Sequence, residues 1–243
     1  ELDTFLYQSS HALRRPLVNI LGLAKIVHLE PNQQNLPEFL SKMYETARKM
    51  DGMLKKLVMV SEINSGSVYN EFIDFEDLFK EVYQSLKARI EEKNIRLSHT
   101  IQKDLEFLCD KRILMLILHN ILENSINFSF SAPHKTSWIK IEVEKGEDKT
   151  LLMHIEDNGS GILNEAIPKI FNMFAVADNK SHGYGLGLYI VKKAIEKLEG
   201  RYHISSKKFE YTISGQSETA SNPITILFCF FHICCRTVKI LHE

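Results

Sequence analysis

Ser9-Ser10-His11-Ala12-Leu13-Arg14-Arg15-Pro16 lies inside a helical pattern, because Leu6, Leu13, Leu17, Ile20, Ala24 and Val27 recur at alternating steps of three and four residues with one turn skipped. Taken as the buried seam of a helix, with Leu13 at a d position, that row places His11 at b, facing solvent. Pro16 has no N–H to give the carbonyl of Ala12, so the helix is expected to loosen or kink beside His11. A solitary exposed histidine on a helix is ordinarily just a solvated side chain, and only the rest of the chain can give it a role.

Outward from this stretch, the first helix is expected from about Leu2 to His28, followed by a polar turn at Pro31, Asn32, Asn35 and Pro37. A second helix starts near Pro37, which suits a first helical position, and runs to about Ile63. Its seam is Met43, Ala47, Met50, Leu54, Leu57 and Ser61, again in steps of four and three. Two such helices joined by a short loop form an antiparallel hairpin, which has too little apolar surface to cover its own seam. Two copies forming a four-helix bundle solve that problem, so a homodimer is expected; the alternative is that the helices pack on the domain that follows. Asn64-Ser65-Gly66-Ser67, small and turn-forming, separates two differently patterned regions. The expected division is a helical hairpin at 1–66, a second domain at 67–232, and a tail at 233–243 to which no role is assigned.

Composition narrows the function classes. Lys plus Arg number 30 against 31 Asp plus Glu, a formal charge of -1, so no global field favours nucleic acid or an anionic membrane. Cys109, Cys229, Cys234 and Cys235 form no CxxC pair, and free thiols in a reducing cytoplasm are the expectation. The chain carries no signal peptide and no apolar run near the roughly 18 residues of a membrane span. It begins at Glu1, already in a helical pattern and without Met. A fragment is therefore expected, cytoplasmic and without membrane contact of its own, with any inner-membrane anchor lying upstream.

Beyond the linker, strands and helices mix. Strands are expected at Glu71 to Phe75, Ile95 to Ile101, Glu106 to Cys109, Ser137 to Glu144, Thr150 to Glu156, Tyr202 to Ser205 and Ile224 to Phe231. Helices are expected at Glu76 to Lys93, from Asp110 to about Phe128, and at Gly185 to Leu198. This order argues an α+β sandwich with helices on one face of a mixed sheet.

Three clusters in this region carry chemistry. In His119-Asn120-Ile121-Leu122-Glu123-Asn124-Ser125-Ile126-Asn127-Phe128, Asn120 and Asn124 are four apart and share one helix face. Their neutral oxygens suit Mg²⁺, which keeps several waters and takes further ligands from phosphates. In Glu156-Asp157-Asn158-Gly159-Ser160-Gly161, a strand ends in an acid followed by a Gly-x-Gly turn. Such a carboxylate can accept from an adenine amine, while the glycines let backbone approach the base. Gly183-Tyr184-Gly185-Leu186-Gly187-Leu188 opens a helix whose first amides suit a polyphosphate; no strand precedes it, so it is not a Rossmann turn.

The His11 octapeptide, followed by Ile20-Leu21-Gly22, resembles the phosphoacceptor box of two-component sensor histidine kinases. The three clusters, in this order, resemble the ATP-binding domain of those kinases and of the wider superfamily that includes gyrase, Hsp90 and MutL. Together the resemblance covers about residues 1 to 205 and implies a dimeric hairpin followed by a Bergerat-type ATP-binding domain. It implies that His11 is phosphorylated from ATP with Mg²⁺ and that the phosphoryl group passes to an aspartate on a response regulator receiver domain. Asn124 then matches the Mg²⁺-binding asparagine, Asp157 the adenine-reading acid, Gly159 and Gly161 the lid hinge, and Gly183, Gly185 and Gly187 the phosphate-binding glycines. Asn127, Phe128 and Leu186 fall among the nucleotide-contacting positions. Ile170-Phe171-Asn172-Met173-Phe174 resembles the lid segment, with Lys180 in the lid as a further phosphate contact.

Hydrolysing members of the superfamily place a Glu four residues before the Mg²⁺ asparagine. This chain has Asn120 there, and an amide is no general base at neutral pH. Transfer to a protein group is therefore expected over an ATP-hydrolysing relative. The chain departs from the kinase pattern at Ala12, where an acid usually follows the phosphoacceptor, and at Arg15, where many members carry Thr or Asn. It departs again at Asn127, where a Lys commonly reaches the phosphates, and after Gly200. A catalytically degenerate ATP-binding scaffold of the same fold is the alternative these departures motivate.

Overall fold

The computed structural model describes residues 2–29, 35–130, 136–146, 150–175, 184–206 and 228–233. The chain divides into two compact units, Glu1–Glu62 and Ile63–Glu243. The expected linker at Asn64 to Ser67 starts inside a helix instead, because Asn64 and Ser65 complete the last turn of the second helix.

The first unit holds α1 (Leu2–Leu29) and all but the last turn of α2 (Leu36–Ser65), the two helices of the N-terminal hairpin. Of the expected turn between them, Pro31 and Asn32 lie outside the described residues, while the Asn35 carbonyl opens α2 by accepting from the Phe39 amide at 3.0 Å. Pro16 sits within α1, which is helical on both sides of it, and His11 is exposed as the pattern requires. Of the expected α1 row, Leu13, Ile20, Ala24 and Val27 are half-buried, whereas Leu6 and Leu17 are exposed. In α2, Met43 and Met50 are half-buried and Leu57 is buried, but Ala47, Leu54 and Ser61 are exposed. Burial continues past Leu57 at Val60 and Ile63, in steps of three, which rotate the covered row away from Ser61.

The second unit is a two-layer α+β sandwich. Its elements are β1 (Glu71–Phe72), α3 (Phe75–Glu92), β2 (Ile95–Ile101), β3 (Leu108–Cys109), α4 (Lys111–Asn127), β4 (Ser137–Lys145), β5 (Leu151–Asp157), a 3₁₀ turn (Ile167–Lys169), α5 (Gly187–Lys197), β6 (Arg201–Ser205) and β7 (Phe228–Ile233). The main sheet has the order β2-β4-β5-β7-β6, with β2 and β4 parallel and every other neighbour antiparallel. β1 and β3 pair separately, and the first strand stops at Phe72 because Asp74 is already the N-cap of α3, accepting from the Asp77 amide at 3.0 Å.

One face of β4 and β5 carries the buried row. Ile139, Ile141 and Val143 of β4 and Leu151, Met153 and Ile155 of β5 are buried, while Lys140, Glu142, His154 and Glu156 alternate onto the other face. Leu78, Val82 and Leu86 of α3, Leu114, Ile117, Leu118 and Ile121 of α4, and Ile190, Val191, Ala194 and Ile195 of α5 supply the helical side of the core. α4 packs between α3 and α5.

The last strand differs from expectation. β7 spans Phe228–Ile233, running two residues past the expected end at Phe231, and it is inserted between β5 and β6; the expected start, Ile224 to Leu227, lies outside the described residues. Ile233, expected in the tail, is the register partner of Leu151. Among the described residues no helix is long and apolar enough to cross a membrane.

Candidate functional site

Period-two alternation explains the first feature of the site. β5 turns Leu151, Met153 and Ile155 into the core, so the next residue in that row, Asp157, is also carried inward, opposite Ile139. Its side chain is 6% exposed. Ser125 Oγ of α4 donates to Asp157 Oδ2 at 2.7 Å, and the Gly159 amide donates to Oδ1 at 2.9 Å. Burial pushes the Asp157 carboxyl above its ordinary range, and the two donors offset only part of that shift.

The turn after Asp157 is held against the end of α4. The Ser160 amide donates to the Phe128 carbonyl at 2.9 Å, and a Cβ on Gly159 would lie 2.8 Å from that same oxygen. Only a glycine fits there without a shift of backbone. Gly161 has φ +68°, and the following Ile162 amide donates to Ser206 Oγ at 2.8 Å, tying the turn to the end of β6. The Phe128 side chain is exposed.

The asparagines meet the glycine-opened helix. A Cβ on Gly187 would stand 3.3 Å from both Nδ2 and Oδ1 of Asn124, and 3.6 Å from Asn120 Oδ1. Asn120 is buried; its Nδ2 donates to the Leu116 carbonyl at 2.8 Å, while its Oδ1 is buried with no hydrogen-bond partner among the described residues. Leu186, at the N-cap of α5, offers no side-chain hydrogen bond, so its side chain leaves the first amides of that helix open. Gly185 has φ +67°, and a Cβ on it would meet the Ala175 oxygen and the Phe174 carbonyl carbon at 2.5 Å. The glycine-rich turn is thereby packed onto the segment that follows the 3₁₀ turn. In that segment Ile170 and Phe171 are buried, Phe171 packs on Tyr202 with ring centroids 4.3 Å apart, and Phe174 has φ +61°. Lys180 and Gly183 lie outside the described residues.

Neutral amide oxygens, open helix amides and a buried acid thus surround one glycine-lined surface. The orphaned Asn120 oxygen, and the gap before Asn124 that a Cβ would fill, fit a polyphosphate with its cation.

Residues 109–223 match the family model described as Histidine kinase-, DNA gyrase B-, and HSP90-like ATPase. Over 210 residues the chain is 27% identical to the sensor histidine kinase GacS of Pseudomonas protegens, a match covering 83% of this chain and 23% of that protein. Over most of its length the chain is similar to protein-histidine kinases. It is homologous to part of the two-component sensor kinases, and it spans 23% of the length of GacS. Its fold is similar to that of the histidine kinase AdeS of Acinetobacter baumannii, with a TM-score of 0.69 at 18% identity, covering 93% of this chain and 98% of that one. It is also similar to the histidine kinase ThkA, solved in complex with the response regulator protein TrrA, with a TM-score of 0.68 at 19% identity, covering 96% and 62%.

The phosphoacceptor candidate His11 stands in α1 beside Tyr7, one turn earlier, with ring centroids 5.0 Å apart and planes tilted by 53°. Ser9 turns inward and donates to the Phe5 carbonyl at 2.6 Å. Three residues of the sites escaped the sequence reading. Ser125, the donor to Asp157, follows from the need of a buried carboxylate for a partner. Tyr7 is the i−4 neighbour of His11 and could have been found from helix spacing. Arg89 of α3 donates to Asn127 Oδ1 at 2.6 Å, a contact that depends on how the helices are layered and leaves no local signal.

Proposed function

We propose that this chain phosphorylates His11 with the γ-phosphoryl group of ATP and passes that group to an aspartate on a response regulator receiver domain. The imidazole nitrogen attacks the γ-phosphorus, the bond to the β–γ bridging oxygen breaks, ADP leaves, and the ring N–H proton goes to solvent. In the second step a receiver carboxylate attacks the same phosphorus, the P–N bond breaks, and the imidazole recovers its proton.

Residues 1–66 form the dimerisation and phosphoacceptor hairpin in this reading, and residues 67–232 the ATP-binding domain. Asp157 accepts from the adenine amine, Phe128 covers the base, and Gly159 and Gly161 shape the turn beneath it. Gly183, Gly185, Leu186 and Gly187 bind the phosphates through backbone, with Lys180 as a lid contact. Asn124 would hold Mg²⁺, which when bound neutralises phosphate charge and orients the γ-group. Asn120 positions and does not abstract a proton, since an amide has no basicity for that task.

The observation that carries the proposal is the pairing, in one chain, of an exposed His11 with a nucleotide site whose water-activating position is Asn120. The solved complex of ThkA with the response regulator protein TrrA supports the choice of partner. A homodimer is supported by the apolar side chains exposed on the hairpin, Val18, Leu21 and Val58 among them. A cytoplasmic location follows from the need for ATP and a reducing environment. The test is stoichiometric: with Mg²⁺ and ATP, ADP release should rise with protein-bound phosphate and then stop. Continuous ADP release without bound phosphate would identify a hydrolase instead. ATP binding with neither product would favour the degenerate scaffold that Ala12 and Asn127 motivate.

A further inference from the structure

The C-terminal part of α4 and its cap, His119 to Phe128, contain no Lys or Arg, although the Asn120 and Asn124 face is the one that would meet a polyphosphate. Asn127 lies seven residues after Asn120 and three after Asn124, on that same face. Its Oδ1 is taken by Arg89 Nη2 at 2.6 Å, and Arg89 Nη1 pairs with Glu123 Oε1 at 3.2 Å. The guanidinium of the neighbouring helix is thus fixed at the side chain of Asn127. Lys93, the C-cap of α3 and the next cation after Arg89, is committed elsewhere: its Nζ donates to the Ile126 and Asn127 carbonyls at 2.6 and 3.4 Å, and burial lowers its pKa. Arg89 keeps 38% of its side chain exposed, and two of its guanidinium nitrogens account for the bonds named.

We propose that Arg89 is a polyphosphate-binding residue of this pocket, presented by Asn127 and supplying from α3 the positive charge that this part of α4 lacks. This rests on the nucleotide reading given above. A guanidinium can bind two oxygens side by side, so the phosphate chain gains a charge-assisted contact without a lysine on α4. Glu123 competes with the phosphates for the same guanidinium and moderates the affinity.

Calorimetric titration of the full chain with ATP and with AMP, each with Mg²⁺, tests this. Arg89→Met should weaken ATP about tenfold and leave AMP within about twofold, because AMP lacks the outer phosphates. Glu123→Gln should tighten ATP severalfold by releasing the guanidinium. Arg89→Met with Asn127→Lys should recover most of the lost ATP affinity, which also shows that the variant pocket is folded. Unchanged ATP affinity in Arg89→Met, or parallel losses for ATP and AMP, would overturn the proposal and leave Arg89 as a strut between α3 and α4. ATP affinity in Glu123→Gln that falls as in Arg89→Met would overturn it too. A wild-type chain that binds neither nucleotide would defeat the nucleotide reading itself, and this proposal with it.

Discussion

Replacing Asp157 by Asn separates base recognition from folding. Asp157 Oδ1 accepts from the Gly159 amide and Oδ2 from Ser125 Oγ, which leaves further lone pairs for an adenine amine. In the amide, the oxygen is held by the Gly159 N–H, and the Nδ2 group, turned toward Ser125, points a donor at the adenine amine. One charge-assisted bond is lost and two donors face each other. The expected cost is about 1–3 kcal/mol, a rise in ATP Kd of about 5- to 150-fold. Inosine triphosphate presents a carbonyl at the same ring position, so the substituted pocket should discriminate less against it. Stability should move the other way. Burial raises the Asp157 pKa above 3.8, so the folded state binds the proton more tightly than the unfolded chain, and stability is lost as pH rises through the raised value. Removing the ionisable group should therefore raise Tm at neutral pH. The assay is calorimetry with both nucleotides alongside thermal melts. Wild-type ATP affinity, or equal losses for the two nucleotides, would refute the assigned contact.

Three other variants probe the two units. Asp110 is the N-cap of α4, accepting from the Arg112 and Ile113 amides at 3.1 and 3.4 Å and from the Tyr69 amide at 2.9 Å. Burial raises its pKa, but the Arg112 guanidinium and these amides outweigh burial and hold it below 3.8. Its stabilisation is present above that value and lost as pH falls through the depressed pKa, so Asp110→Ala should cost about 1–2 kcal/mol in denaturant melts at pH 7 and progressively less in acid. Glu199 follows α5 with φ +55°, where the Gly200 amide donates back to the Ile195 carbonyl at 2.8 Å; Glu199→Gly should stabilise by about 0.5–1 kcal/mol, and a loss of stability would contradict the backbone argument. Leu21→Glu with Leu54→Glu, both at exposed positions, should give a monomer by light scattering with unchanged helicity, and a retained dimer mass would remove the hairpin from the interface.

Helix and strand periods made much of this site legible. The spacing of Asn120 and Asn124, the alternation that buries Asp157 and the glycines that open α5 are local facts, and the structure joins them. What local pattern could not reach was the layering of helices. Arg89 meets Asn127 only because α3 packs beside α4, and Gly185 touches Ala175 only because the chain returns across the site. The end of β7 was misplaced for a different reason. Ile224 to Cys235 is almost uniformly apolar, so no alternation set its register.

The central claim is that His11 takes the γ-phosphoryl group of ATP, and phosphorylation with γ-labelled ATP tests it most directly. Wild-type protein should acquire a protein-bound label that acid removes and base does not, as expected of a phosphohistidine. His11→Gln should acquire none while binding ATP normally, and Asn124→Ala should label far more slowly. An equal label on His11→Gln, or a base-labile label on the wild type, would contradict the account.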